Sequence, residues 1–259
     1  MRKVYVSGLV ALLLLTLGGC GWFGEKPDKT RDWSAERLYR EAKSALAAHD
    51  YTTAVNYYET LESRFPFGPL AQQSQIEVAY AYYKDSQSAS AIAAADRFIK
   101  LYPNHPNVDY AYYLKGLVGF NQGKGFLDRY MPIDESERDP GSARQAFLDF
   151  SDLVNRFPDS QYSEDARQRM LYLRNNLSMH EVHVANYYMR RKAYLAAANR
   201  AKYVVENYPR TPAVPDALVI MVKAYRELGL NDLANDSLRV LALNFPEQAT
   251  IAELGTVVQ

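Results

Sequence analysis

One cysteine in 259 residues leaves no partner for an internal disulfide and no thiolate set for a Cys-rich zinc module. Net charge is absent as well. Thirty Lys and Arg balance thirty Asp and Glu, which argues against nucleic-acid binding through bulk positive charge. Histidine is scarce, at positions 49, 105, 180 and 183. His180-Glu181-Val182-His183 puts two imidazoles on one helix face, yet it is one residue short of the His-Glu-x-x-His zinc motif. It reads as an ordinary helix surface. The acidic run from Asp134 to Asp139 lacks the alternating ligands and the glycine of a calcium loop, and reads as solvated. There is no Gly-x-Ser-x-Gly elbow, no Gly-Lys-Ser/Thr phosphate loop and no dinucleotide fingerprint. No catalytic residue, metal site or cofactor is therefore expected.

What is present begins with an address. Arg2 and Lys3 precede an uncharged apolar run, Val4 to Leu17, too short to span a bilayer comfortably. Small residues follow, and then the sole cysteine. A basic start, a short apolar core and small residues before a cut describe a secretory signal peptide over residues 1–19. Leu17-Gly18-Gly19-Cys20 resembles the bacterial lipobox. The resemblance implies cleavage before Cys20, diacylglycerol on its sulfur and an acyl chain on its new amino group, together a stable anchor. Residue 21 is Gly and not Asp, which by resemblance to other bacterial lipoproteins implies an outer-membrane anchor with the body facing the periplasm. Residues 20–33 are then the lipidated Cys and a flexible tether that holds Gly24 and Pro27.

The body carries a repeat. Five aromatic-Pro pairs punctuate it: Phe65-Pro66, Tyr102-Pro103, Phe157-Pro158, Tyr208-Pro209 and Phe245-Pro246. Twelve residues before each Pro stands an alanine: Ala54, Ala91, Ala146, Ala197 and Ala234. Twenty-four residues before four of the prolines stand Ala42, Ala79, Ala185 and Val222, and Gly116 takes the matching role in the third unit. Small residues let helix axes approach closely, and Pro cannot continue a helix. The pattern looks like the tetratricopeptide repeat, two antiparallel helices with small residues at their crossing and Pro ending the second. The expected fold is all-α, a superhelical solenoid of five such hairpins. Units 1 and 2 occupy residues 34–107, unit 3 residues 108–160 and units 4 and 5 residues 161–259.

Local signals add detail. Ser34 and Ser163 precede helical stretches with acids in the first turn. Asp139-Pro140 reads as a cap followed by Pro at the first helical position, and Gly229 with Asn231 as a stop and a start. The prolines are 37, 55, 51 and 37 residues apart. The excess in the third unit falls around residues 122–141, a loop rich in Gly, Pro and charge. The excess in the fourth falls in Glu164 to Arg191, which holds neither Pro nor Gly and so lengthens its first helix by about four turns.

A helical array offers a concave groove. In tetratricopeptide repeats the first helix of each pair lines it. That alignment makes Gln73, Tyr80, Tyr83 and Lys84 of the second unit groove residues, joined by Tyr110 and Tyr113 of the third, while Tyr82, Tyr112, Tyr188 and Tyr225 fall on packing positions. Aromatic rings with hydroxyls suit an extended peptide with alternating aromatic residues, such as the terminal strand of an outer-membrane barrel.

The lipobox, the five units, and the stretches Arg64-Phe65-Pro66-Phe67-Gly68-Pro69, Ala79-Tyr80-Ala81-Tyr82-Tyr83-Lys84, Asp96-Arg97-Phe98-Ile99 and Arg138-Asp139-Pro140 closely resemble the BamD family of barrel-assembly lipoproteins. The resemblance covers essentially the whole mature chain. It implies a non-enzymatic scaffold whose N-terminal units receive the C-terminal signal of unfolded outer-membrane proteins. It implies that the C-terminal units dock on a periplasmic domain of BamA, with Arg200 matching the family's BamA-contacting arginine. It also implies other Bam lipoproteins as partners, an extended arm of BamC lying on units 2 and 3. A different anchored repeat protein, acting in cell-wall or division complexes, is the alternative the residues leave open.

Overall fold

The structure, a computed structural model, describes residues 28–122, 136 and 139–246. The signal peptide, Cys20, most of the 122–141 insertion and the last residues of unit 5 lie outside them. The described residues form ten helices and no strand: α1 (Ala35–Ala47), α2 (Tyr51–Arg64), α3 (Pro69–Lys84), α4 (Ser88–Leu101), α5 (Val108–Asn121), α6 (Gly141–Arg156), α7 (Ser163–Arg190), α8 (Tyr194–Asn207), α9 (Ala213–Glu227) and α10 (Asn231–Asn244). Each helix packs on the one before it and the one after it. The first helices, α1, α3, α5, α7 and α9, also touch one another from unit to unit. Helices that meet their counterparts in the next unit lie on the shorter, inner arc of a curved stack. The expected groove is therefore on the first-helix side. No described helix is long and apolar enough to cross a membrane.

The punctuation has one physical form in all five units. Phe65, Tyr102, Phe157, Tyr208 and Phe245 each stand just past the end of a second helix, with φ between −122° and −136° and ψ between 47° and 65°. The following Pro drives them out of the α region. Each still donates its N–H to a carbonyl four residues back, at 2.8–2.9 Å, so the last turn is satisfied before the chain leaves. Twelve residues before each Pro, the five alanines are buried to 1 % exposure or less. The partner positions Ala42, Ala79, Ala185 and Val222 are fully buried too. At Gly116 a Cβ would stand 2.4 Å from the Phe150 ring, closer than any carbon contact allows. Glycine there is the fifth member of the small-residue set.

Four hairpins turn alike. His49, Ser86, Lys192 and Gly229 take positive φ, between 59° and 71°. The residue after each donates to a carbonyl five residues back, as Asp50 does to Ala45 at 2.9 Å. That is a left-handed helix stop, and only one of the four is glycine. The helix α7 runs for 28 residues where the others run for 13 to 16, as the missing Pro and Gly predict. Ser34 caps α1 by accepting the Arg37 N–H at 3.3 Å.

Two expected caps differ. Ser163 is the first residue of α7 and turns its hydroxyl back to the Phe157 carbonyl at 2.6 Å. Pro140 takes the N-cap position of α6 itself, so Asp139 does not cap it. Both shifts are one residue, and both follow from an inter-repeat turn or loop whose hydrogen bonds a linear pattern does not reveal. Residues 28–33 of the expected tether also differ: they form turns against the body, and Thr30 is buried.

Candidate functional site: an aromatic cleft across three units

The first-helix row of units 1 to 3 encloses a cleft of about 280 Å³ lined by Lys43, Leu46, Gln73, Ile76, Glu77, Tyr80, Asn107, Tyr110 and Tyr162. Three of the expected groove residues, Gln73, Tyr80 and Tyr110, are in that wall. Helix spacing explains the set. Gln73, Ile76, Glu77 and Tyr80 stand three or four residues apart and share one face of α3.

Glu77 organises the cleft. Its Oε1 accepts from Tyr39 Oη at 2.8 Å and from Gln73 Nε2 at 2.9 Å. Its Oε2 accepts from the fully buried Tyr58 hydroxyl, and the Lys43 ammonium lies 3.3 Å away. Burial, and then the bond to Glu77, push the Tyr39 and Tyr58 hydroxyls well above the usual phenol range. Both therefore stay protonated and keep donating. With its carboxylate so shared, the half-exposed Lys43 carries the cationic edge of the cleft.

Aromatic rings form the other wall. Tyr80 and Tyr83 pair at 6.3 Å, and Tyr83 Oη accepts from Asn121 Nδ2 at 2.6 Å. Tyr162 stacks on Tyr113 at 4.8 Å and meets Tyr110 at 5.4 Å. Tyr113 donates to Asp165 at 2.6 Å, which also holds Arg169 at 2.5 Å. Burial, then that acceptor, push the Tyr113 hydroxyl up to about 12. Burial likewise raises Tyr110 well above the usual range. Tyr113 thus braces Tyr162 from behind rather than lining the cleft. Lys84 lies apart, exposed, over the Tyr51 ring at the hairpin turn (5.7 Å). Tyr82, Tyr112, Tyr188 and Tyr225 pack against core clusters, as their register predicts.

Sequence reasoning missed Lys43, Glu77, Asn107 and Tyr162. Glu77 had a signal: it is four residues from Gln73 and three from Tyr80, both expected in the groove. Tyr162 had none, because it sits in a turn before α7 with no periodicity around it.

Farther along, Arg200 is half exposed and gives one guanidinium nitrogen to Glu181, 2.9 Å away on α7. Glu181 is buried, and this arginine is its neutralising partner. His180 Nδ1 stands 2.8 Å from the Ser136 carbonyl, and His183 Nε2 stands 2.9 Å from the Ser136 hydroxyl. The two imidazoles hold one residue of the insertion against α7.

A family model described as outer membrane lipoprotein, YfiO, matches residues 31–241. The chain is 47% identical to the outer membrane protein assembly factor BamD of Neisseria meningitidis serogroup B over 247 residues, covering 95% of this chain and 92% of that one. It is 38% identical to the BamD of Vibrio cholerae, covering 94% and 99%. It is 33% identical to that of Haemophilus influenzae, covering 94% and 92%. Among solved structures it is similar to a thermophilic TPR protein of Thermus thermophilus, with 13% identity, a TM-score of 0.37, and 86% and 98% of the two chains covered. With near-full-length identity on this scale, the chain belongs to the BamD family of outer membrane protein assembly factors.

Proposed function

We propose that the protein is a scaffold held in the outer membrane by acyl chains on Cys20, facing the periplasm, and that its cleft binds the C-terminal segment of unfolded barrel clients. Its role in outer-membrane protein assembly follows from its family. One observation carries the finer reading. Tyr80, Tyr110 and Tyr162 line a cleft across three units, with Gln73 and Asn107 as amide donors and acceptors and Lys43 at its edge. Rings receive an aromatic side chain, amides pair with an extended backbone, and a lysine suits a terminal carboxylate. Tyr83 and Tyr113 support those rings, and Lys84 lies too far along α3 to join them. Arg200 faces the other functional surface. The half-exposed guanidinium is placed to meet a carboxylate on a periplasmic domain of BamA while Glu181 orients it. Other Bam lipoproteins are proposed partners along units 2 and 3.

Site-specific crosslinking tests both surfaces. A photoreactive residue at Tyr80 is expected to capture barrel clients, and one at Arg200 to capture BamA. In binding titrations with a barrel C-terminal peptide, Tyr80→Ala is expected to weaken binding by about 1–2 kcal/mol while the melting temperature stays nearly unchanged. Equal binding by the variant would reject the cleft as the client site.

A further inference from the structure

The chain enters its body at one edge of unit 1, and that entry is clamped. Asp28 Oδ1 accepts from the Thr30 N–H at 2.8 Å and from the Thr30 hydroxyl at 2.7 Å. Arg64, the last residue of α2, donates to the Thr30 carbonyl and to the Asp28 carboxylate. The segment that leads to Cys20 is therefore tied to the end of α2. Immediately after Arg64 comes Phe65-Pro66-Phe67-Gly68-Pro69. Phe67 is 91 % exposed, the highest figure among the described large apolar side chains, and Phe65 is 37 % exposed. The loop is stiff. Two prolines fix their own φ, and Gly68 sits at φ 104°, a conformation side-chain residues avoid. The Phe67 ring is held outward.

We infer that Phe67, backed by Phe65, seats in the headgroup–acyl boundary of the bilayer that carries the anchor, a second contact that sets the tilt of the body. The inference rests on the lipid anchor at Cys20 proposed above. Asp28 stands eight residues after Cys20, a span of at most about 28 Å. The clamp at Arg64 keeps Phe67 three residues from the point where that span ends. The bilayer is thus presented to this ring at high effective concentration. The other described, exposed large apolar side chains belong to later units. A rigid loop with one projecting ring suits a fluid interface, which needs no shaped pocket. Arg64, three residues before this ring, is already committed to Asp28.

The test uses the acylated full-length mature protein in vesicles of phosphatidylethanolamine and phosphatidylglycerol. Cys20 is acylated, so Phe67→Cys supplies a single free thiol for a nitroxide, and Leu243→Cys, on α10 and 76 % exposed, supplies the reference. Melting curves confirm that each variant is folded. The protein is expected to float with the vesicles. The label at 67 is expected to collide with an aqueous nickel chelate roughly fivefold less than the label at 243, and more with oxygen, as for a group several Å below the headgroups. Protein that floats while both labels meet nickel equally would overturn the inference and leave the anchor standing. Protein that does not float would overturn the anchor and the inference together.

Discussion

Glu77 shows how much one side chain can hold. Tyr39, Tyr58, Gln73 and Lys43 all reach it, and three of those partners come from other helices. Glu77→Ala strips the acceptor from the buried Tyr58 hydroxyl and is expected to cost about 1–3 kcal/mol in denaturant unfolding, the penalty of an orphaned buried donor. Gly116 makes a similar point with no polar group at all. Gly116→Ala drives a methyl into Phe150, which is itself fully buried. The expected loss is about 1–3 kcal/mol, read as a fall in melting temperature, and a neutral result would mean that the ring has room to move. Gly116 was legible in the sequence as a small residue at a crossing. The ring that enforces it was not, because Phe150 lies beyond an insertion whose length hides the pairing. Glu77 could be placed on the groove face from its spacing to Gln73 and Tyr80, but its role as a hub could not, because a hub is defined by contacts between segments.

Helices and turns follow local chemistry more closely. The five stops before Pro, the long α7 and the Ser34 cap were all readable, since each depends on residues within one or two turns. The left-handed stops were readable only at Gly229. At Lys192 a lysine occupies φ 59°, a conformation that costs a side-chain residue about 1 kcal/mol or more relative to glycine. Lys192→Gly is therefore expected to raise stability by about 0.5 kcal/mol after glycine's larger unfolded-state entropy is counted, measured by chemical denaturation. Ala197, fully buried where α8 crosses α7, gives the opposite sign. Ala197→Leu is expected to destabilise by about 1–3 kcal/mol through overpacking, and an unchanged midpoint would contradict the repeat register. Ser163 and Asp139 were misread because a cap is set by where the preceding turn releases the chain.

For the molecule as a whole, the abundance of tyrosine becomes a pH dependence. Tyr113 rises from an ordinary 10.0 to about 12 through burial and its bond to Asp165. Tyr39, Tyr58, Tyr82 and Tyr110 rise in the same direction, burial first. A group whose proton is held more tightly in the folded state gives its full stability below its unfolded value. It loses that stability as pH climbs through its folded value. The fold is therefore expected to keep a steady contribution from these tyrosines up to about pH 10 and to weaken between 10 and 12. Thermal unfolding followed by circular dichroism across that window checks this, and Tyr113→Phe should make the decline shallower. A curve flat to pH 12 would show that these hydroxyls are not held in the folded state. Of these rings Tyr110 lines the cleft, so alkaline unfolding is expected to remove the proposed peptide site along with the fold.

Alanines and prolines in phase, read along the chain, determined that the protein is a helical stack and how many hairpins are present. Those features arise from sterics between residues a few turns apart, and sterics of that range are written locally. Which tyrosines face the cleft, which ones brace it, and where the chain is pinned as it enters the body were decided only when the units stacked. Lys43, Glu77, Tyr110 and Tyr162 come from three units and the turn that follows them, and no linear spacing brings them together. Stacking does so, because it brings α1, α3 and α5, which never neighbour one another in sequence, side by side around the cleft.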